Sequence, residues 1–212
     1  MPKRLVFIFL LLFSPLWILT GCTPVGLALT AGATAGSVIL ETRSFDDSMK
    51  DRGLQVAINK AIADQNLKVF SAVSIDVVEG RALLTGIVSK REDRLNVAKI
   101  TWAQSGVEEV VNEIRISQTI DIIDVSKDTW IKTQIFSAIT FDSQVFATNY
   151  EISVIGGYVY LFGISVDDAE VERVIAHARE VPSVRRVISH MRNQDDPVRL
   201  ARIKRIEVEK TK

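Results

Sequence analysis

Apolar residues in the middle of the chain recur with two different periods, which predict helices and strands in a regular order. Ile58 and Ile62 belong to a set spaced three and four residues apart, which predicts a helix near residues 51–65. Apolar and polar residues then alternate over residues 73–77, a pattern typical of a half-buried strand. The elements predicted after it are a hairpin turn at Glu79-Gly80, a strand at residues 82–88, a helix at residues 90–104 and a strand at residues 107–116.

The same order of elements occurs a second time. Moving the sequence along itself by 77 residues places Ile58 on Ile135 and Gly80 on Gly157 without a gap. An internal repeat at a fixed spacing indicates a duplicated structural unit. The second unit is predicted to contain a helix at residues 128–141, strands at 150–155 and 158–164 around a turn at Gly156-Gly157, a helix at 167–180 and a strand at 184–191.

We therefore expect an α+β fold made of two tandem αββαβ domains, each a three-stranded mixed sheet with two helices. The predicted bounds are residues 51–117 and residues 126–193. A domain of this size buries only a marginal core when it is alone. The helices are expected to cover one face of each sheet, and whether the two domains also pack on each other stays open.

The first 21 residues have the layout of a secretory signal peptide. Lys3 and Arg4 precede an apolar run of 15 residues, which is shorter than the ~20 residues of a membrane-spanning helix. The run is followed by Thr20-Gly21-Cys22, and with Leu19 this ending resembles the lipobox of bacterial lipoproteins. The resemblance implies cleavage before Cys22, a diacylglycerol on its thiol and an acyl chain such as palmitate on the new amine.

The lipidated cysteine is followed by a small-residue, glycine-rich tether, predicted over residues 22–50, whose last part near residues 41–51 is a polar linker. Thr23 stands directly after Cys22. Under the sorting rule of enteric lipoproteins, the lack of an aspartate at this position favours the outer membrane. We therefore expect a protein anchored by lipid on the periplasmic face of the outer membrane.

Composition excludes several classes of function. The chain carries 26 basic and 26 acidic residues, so it lacks the basic excess of a nucleic-acid-binding protein. The single cysteine excludes a disulfide framework, and the two histidines, His177 and His190, provide little for a metal centre or a catalytic triad. The sequence shows no paired catalytic carboxylates and no glycine-rich phosphate loop. We therefore expect no catalysis, no metal site and no cofactor apart from the acyl groups on Cys22.

Short motifs carry a resemblance to a known family. Each hairpin glycine is followed by a Leu-x-Gly element, with Gly86 closing the first and Gly163 closing the second. The closing segments at residues 106–114 and 183–191 fit the same family. With the αββαβ order behind a lipobox, the chain resembles the dual BON-domain periplasmic lipoproteins of Gram-negative bacteria over about residues 22–193.

That resemblance implies a non-enzymatic envelope protein that binds phospholipid and supports outer-membrane integrity. In such proteins the first helix of the second repeat is associated with contact to anionic lipid. The corresponding helix here is predicted at residues 128–141, and it is therefore the candidate site. A second function fits the same sequence: a protein-interaction or chaperone-like adaptor that binds envelope proteins in the periplasm.

The candidate helix carries a stripe of side chains on a different side from its core face. The stripe begins at Trp130 and ends at Phe141, and the matching positions of the first repeat are small or charged. Tryptophan suits a membrane interface because its indole joins an apolar body to a hydrogen-bond donor. The predicted phospholipid-binding residues are Trp130, Gln134, Ser137 and Phe141, together with Lys127 and Lys132 placed to meet lipid phosphates.

Two acidic residues on the same segment, Asp128 and Asp142, oppose this basic charge. Three partners for the aromatic stripe stay open from sequence alone: a membrane, the other domain of the same chain, or another protein.

The remaining features are weaker. In the basic tail at residues 194–212, Leu200, Ile203 and Ile206 fall at helical spacing, so a short amphipathic helix on the membrane or on the domain and a frayed tail are both open. His177 is expected to be a solvated surface residue. His190 is expected on the last strand without a second ligand nearby.

Overall fold

A computed structural model of the chain describes residues 45–117 and 125–210. Residues from Ile39 to Lys212 form one compact unit. The first repeat contains α1 (Phe45–Gln65), α2 (Leu67–Phe70), β1 (Val73–Val78), β2 (Arg81–Val88), α3 (Arg91–Trp102), β3 (Glu109–Asn112) and β4 (Arg115–Ile116). The second repeat contains α4 (Val125–Phe141), a 3₁₀ turn (Ala147–Asn149), β5 (Tyr150–Ile155), β6 (Tyr158–Ser165), α5 (Asp168–Glu180) and β7 (Arg186–Asn193), and α6 (Pro197–Lys210) follows it.

Each repeat forms a mixed sheet. Strands β1 and β2 are antiparallel. Strands β3 and β4 both pair with β2 in parallel, β3 with its first half and β4 with its end. In the second repeat β5 and β6 are antiparallel, and β7 pairs with β6 in parallel. A parallel pair needs a long crossover, which α3 and α5 supply. The predicted α+β fold with two αββαβ units is therefore confirmed.

The helices cover one face of each sheet and bury two separate cores. Ile58 and Ile62 of α1 pack with the inner side chains of β1 and β2. Ile131 and Ile135 of α4 do the same in the second repeat. These four isoleucines are almost completely buried, which explains why the helical period in the sequence was clear.

The uncovered faces of the two sheets pack against each other. Val78 and Leu83 from the first repeat form a third cluster with Tyr160, Phe162 and Ile164 from the second. All five are buried. The contact that the sequence left open is thus a sheet-on-sheet interface with the helices on its two outer sides.

The Leu-x-Gly glycines stand where the hairpin strands come closest to the preceding chain. Gly86 and Gly163 have φ of 131° and 153°. A Cβ atom at Gly86 would lie 2.3 Å from the carbonyl oxygen of Ala72, and one at Gly163 would lie 2.1 Å from that of Asn149. Only glycine fits at these two positions without a shift of the backbone.

Two helices begin earlier than predicted. Residues 45–50, assigned from sequence to the tether and its polar linker, form the first turns of α1, with Lys50 and Asp47 3.9 Å apart. Helix α4 begins at Val125 instead of residue 128. Exposed turns such as those at Met49 and Val125 bury no regular set of side chains, so no apolar period marked them in the sequence.

The predicted single strand at residues 107–116 is interrupted. The side chain of Asn112 accepts a hydrogen bond from the Ile114 N–H at 3.2 Å and donates one to the Arg94 carbonyl at 3.2 Å. This local bonding separates β3 from β4. Ile116, at the end of the predicted strand, is exposed.

Helix α2 and the 3₁₀ turn were not predicted, because three or four residues are too short to show a period. The Asn66 side chain caps α2 by accepting hydrogen bonds from the backbone N–H groups of Lys68 and Val69.

Candidate functional site

Helix α4 presents the predicted aromatic stripe on its outer side. Trp130 is 45% exposed and Phe141 is 87% exposed. Gln134 is exposed as well, whereas Ser137 is half-buried. None of these four belongs to the apolar cluster between the two sheets. The hypothesis that Trp130 and Phe141 seal the contact between the repeats is therefore wrong, because that contact is made by the opposite faces of the sheets.

The counterpart face of α1 has a different chemistry. Gly53 and Ala57 provide no large side chain there, and Lys60 forms an exposed ion pair with Asp64. The aromatic surface is thus present on only one of the two outer helices.

The two predicted lysines lie on different flanks of α4. Each helical residue turns by about 100°, so Lys127 lies about 60° from Trp130 and Lys132 about 160° from it. Both are exposed. Both lysines line a cleft between the two repeats, although only Lys127 lies near Trp130 around the helix. The six predicted residues therefore do not form a single patch.

Asp128 does not face the surface as an unpaired charge. Its two carboxylate oxygens accept hydrogen bonds from the backbone N–H groups of Gly156, at 2.6 Å, and Gly157, at 2.9 Å. Asp51 holds the first hairpin in the same way, through Glu79 N–H at 2.7 Å and Gly80 N–H at 3.0 Å. Both carboxylates are buried.

This carboxylate clamp on each hairpin turn was missed from sequence. The signal was present, because Asp51 and Asp128 are themselves 77 residues apart and superpose in the repeat. From sequence, Asp128 was interpreted only as a charge that opposes the nearby lysines, and Asp51 was not singled out.

The carboxylate of Asp142 also has hydrogen-bond partners within the protein. Arg173 donates to both of its carboxylate oxygens, at 3.0 and 2.8 Å, and the Nε2 atom of His177 lies 2.8 Å from Oδ2. The hydrogen bond to His177, with those from the Gln144 backbone and from Arg173, lowers the pKa of Asp142 to about 2. His177, expected to be a solvated surface residue, is half-buried and paired with Asp142. The two acidic residues expected to oppose lipid phosphates both have partners within the protein.

Polar contacts between the repeats join equivalent positions. Asp76 accepts a hydrogen bond from Ser153 Oγ at 2.7 Å, and His190 Nε2 lies 2.9 Å from Glu113 Oε1. The two residues of each pair are 77 residues apart, which is the spacing of the repeat. Each side chain therefore contacts the residue at the equivalent position of the other repeat. Burial raises the pKa of the Asp76 carboxyl. His190, expected without a nearby ligand, thus has a carboxylate partner across the interface.

The C-terminal helix lies on the first repeat. Arg199 of α6 forms a buried ion pair with Glu79 of the first hairpin, with Nη2 to Oε1 at 2.7 Å and Nε to Oε1 at 3.0 Å. Arg202 reaches both Glu79 and Glu108, and Arg205 reaches Glu108. Of the two interpretations of the tail, the helix on the domain is the one observed for residues 197–210.

Other predicted features lie outside the described residues. These are the signal peptide at residues 1–21, Cys22 with its acyl groups, and the tether up to residue 44. Within residues 45–117 and 125–210, no helix has both the length and the apolar character needed to cross a bilayer. The same ranges hold no group of three or more metal-ligating side chains.

Comparison with known families decides where the fold belongs. A family model described as "BON domain" matches residues 50–118 and 127–194. The chain belongs to the BON domain family. The family inferred from the αββαβ order and the Leu-x-Gly elements is thus confirmed, and each repeat is a BON repeat.

Three relatives are similar to this chain over most of its length. An uncharacterized protein in the gshII 5′ region of Anaplasma centrale is 35% identical over 150 residues, which cover 70% of this chain and 98% of that protein. Outer membrane lipoprotein DolP of Haemophilus influenzae is 29% identical over 171 residues, covering 80% of this chain and 87% of DolP. A 21 kDa hemolysin of Actinobacillus pleuropneumoniae is 29% identical over 147 residues, covering 69% and 73%.

Proposed function

We propose that the protein is a lipid-anchored protein of the cell envelope whose second BON repeat binds anionic phospholipid and supports outer-membrane integrity. The observation that carries the proposal is the outward-facing stripe of α4, where Trp130 and Phe141 are exposed at the surface. Large aromatic side chains are stabilised at the level of lipid headgroups. The proposed role involves no catalytic step.

Cys22 is the proposed anchor, carrying a diacylglycerol on its thiol and an acyl chain on its amine. The lipobox at residues 19–22 supports this, and so does the similarity to a relative named as an outer membrane lipoprotein. Because each buried CH₂ group contributes ~0.8 kcal/mol, two or more chains hold a protein on a bilayer stably. The proposed location is the periplasmic face of the outer membrane.

With such an anchor, α4 needs to contribute only a weak and selective contact. Lys127 lies on the same side of α4 as Trp130 and can meet lipid phosphates, each such cation contributing ~1 kcal/mol near an anionic surface. Asp142 offsets this little, because it is paired with Arg173, whereas Asp128 keeps its negative charge beside Lys127. The contact is therefore expected to favour anionic over zwitterionic lipid.

The test is co-sedimentation of residues 39–212 with vesicles. This fragment contains all three buried clusters and forms one compact unit. We expect it to pellet with phosphatidylglycerol vesicles and not with phosphatidylcholine vesicles, and we expect Trp130→Glu and Phe141→Ser to reduce pelleting about tenfold.

Trp102 provides a matched control, because it is an exposed tryptophan on α3 of the first repeat. Trp102→Glu makes the same change of charge and volume and should pellet as the wild type does. If the wild type stays in the supernatant with both vesicle types, lipid docking by α4 is wrong. The aromatic stripe is then better explained as a surface for an envelope protein, which is the adaptor function.

A further inference from the structure

A cleft between the two BON repeats is lined by more basic than acidic side chains. It is open to solvent and has a volume of about 1210 Å³, above the ~300–1,000 Å³ of most small-molecule pockets. Six basic and two acidic side chains line it, an excess of four positive charges in a chain whose basic and acidic residues are equal in number. The basic residues are Lys68, Lys90, Arg115, Lys127, Lys132 and Arg185.

Both repeats contribute to this cationic cleft. Lys68 and Lys90 come from the wall of the first repeat, at α2 and just before α3. Lys132 of α4 and Arg185, just before β7, come from the second repeat. All four side chains are exposed, and within residues 45–117 and 125–210 none of the four forms a salt bridge.

Arg115 adds a half-buried cation to the cleft. One terminal nitrogen donates to the Ile155 carbonyl at 2.9 Å, and the guanidinium lies 4.2 Å from the centre of the Tyr158 ring. Its Nε atom is buried and has no hydrogen-bond partner among the described residues. Arg115 pairs with no carboxylate in this part of the chain, so an incoming anion would find its charge uncompensated.

The two acidic residues of the lining reduce this charge without cancelling it. Both carboxylate oxygens of Asp128 accept hydrogen bonds from the backbone of the second hairpin, although the residue keeps its negative charge. Asp93 is the other carboxylate among the described lining residues.

The walls between these cations are apolar. Val73 and Ile87 line the first repeat's side, and Ile155 lines the second's. Ile116 and Val125 stand at the cleft with large exposed fractions. A small anion would contact only the cationic side chains, and a hydrocarbon would contact only the apolar walls. An amphiphile with an anionic head group would contact both.

We propose that this cationic cleft binds a single molecule of anionic phospholipid, with its phosphate at the lysines and arginines and part of an acyl chain on the apolar walls. This site differs from the stripe of α4, which would lie on the surface of a bilayer. It requires both repeats, because each supplies one wall.

The probe is dihexanoyl phosphatidylglycerol below the concentration at which it forms micelles, titrated into residues 39–212 by calorimetry. The comparison arms are dihexanoyl phosphatidylcholine and glycerol 3-phosphate. We expect saturable binding of the anionic lipid and at least tenfold weaker binding of both others. Equal binding of the two lipids, or equal binding of glycerol 3-phosphate, would overturn the proposal.

Variants on each wall locate the ligand. Lys68→Gln with Lys90→Gln should weaken binding about tenfold, and Arg185→Gln on the opposite wall should weaken it severalfold. Ser74→Trp places a bulky side chain on an exposed lining position without a change of charge and should also weaken binding. Thermal unfolding of each variant verifies that it remains folded.

The matched control removes two lysines away from the cleft. Lys60→Gln with Lys99→Gln changes net charge equally and should bind as the wild type does. If it weakens binding as much as the cleft pair, general charge attraction explains the result and the site is wrong. Trp130→Glu should leave this monomeric binding unchanged while it reduces vesicle pelleting about tenfold, so the failure of one proposal is distinguishable from the failure of the other.

Discussion

Single carboxylates hold the two hairpin turns in place. Asp51 and Asp128 each bind two consecutive backbone N–H groups that the tight turn leaves without a partner in the strand ladder. Because these groups are buried, leaving them unpaired costs more than an ordinary hydrogen bond contributes. The equal geometry in both repeats shows that the clamp belongs to the fold and is not a feature of the proposed lipid-binding surface.

Asp128→Ala should lower the free energy of unfolding by about 2–3 kcal/mol, because two backbone donors lose a charged acceptor. Chemical denaturation monitored by circular dichroism measures this. Asp195→Ala, at an exposed position, is the control and should change stability by less than about 0.5 kcal/mol. If both variants lose a similar amount of free energy of unfolding, Asp128 does not stabilise the hairpin turn in the way proposed.

Asp142 predicts a dependence of stability on acid pH. Its pKa is about 2 in the folded protein and near 3.8 when unperturbed. The folded state therefore binds the proton less readily, so this contribution is fully present above about pH 4 and is lost as the pH falls towards 2. Unfolding midpoints at pH 7 and pH 3 should differ less in Asp142→Asn than in the wild type. An unchanged difference would show that the pair with Arg173 and His177 contributes nothing.

At the scale of the element, the helices with one buried face were predictable, and the irregular elements were not. Ile58, Ile62, Ile131 and Ile135 are completely or almost completely buried, so their spacing recorded the helical period. The break between β3 and β4 depends on hydrogen bonds of the Asn112 side chain. An alternation of apolar and polar residues gives no information about such bonds. Helix α2 contains too few residues to show any period.

The sheet-on-sheet contact could have been inferred from the strands themselves. The segments of β2 and β6 around Leu83 and Tyr160 are apolar almost without alternation. A strand buried on both faces has this pattern, whereas a strand with one solvated face alternates. The aromatic stripe of α4 stays a prediction as a binding surface, and the exclusion of the other repeat as its partner required the structure.

Helix α6 depends on a buried ion pair. Arg199→Met should remove about 3 kcal/mol from the free energy of unfolding, because Glu79 stays buried with only Arg202 as a cation. Arg205→Met removes an exposed ion pair on the same helix and should cost less than about 1 kcal/mol. Guanidinium denaturation compares them. Equal costs would mean that α6 does not anchor on the first repeat through Glu79.

At the scale of the whole molecule, the two BON repeats share one buried interface. Each repeat has a small core, and the cluster around Leu83, Tyr160 and Phe162 joins the two cores into one compact unit. Side chains of this size bury much apolar area, so the contact contributes a large part of the stability of each repeat. The repeats are therefore expected to unfold together.

The chain offers a direct test of this coupling, because Trp102 reports on the first repeat and Trp130 on the second. Single-tryptophan variants, Trp130→Phe and Trp102→Phe, should show coincident denaturation midpoints in residues 39–212. Tyr160→Ala should lower both midpoints equally, at a cost of about 3–5 kcal/mol. Two separate transitions in the wild type would contradict a single cooperative unit.

The ion pair between Glu79 and Arg199 has a consequence for biogenesis. Its partners are 120 residues apart in the chain, and the cation arrives with the last helix. Synthesis from the N-terminus completes the whole first repeat before Arg199 is made. Until then the carboxylate of Glu79 lacks its ion-pair partner and has Arg81 of its own repeat as the buried cation near it, so the first repeat reaches its final packing only when the end of the chain is present.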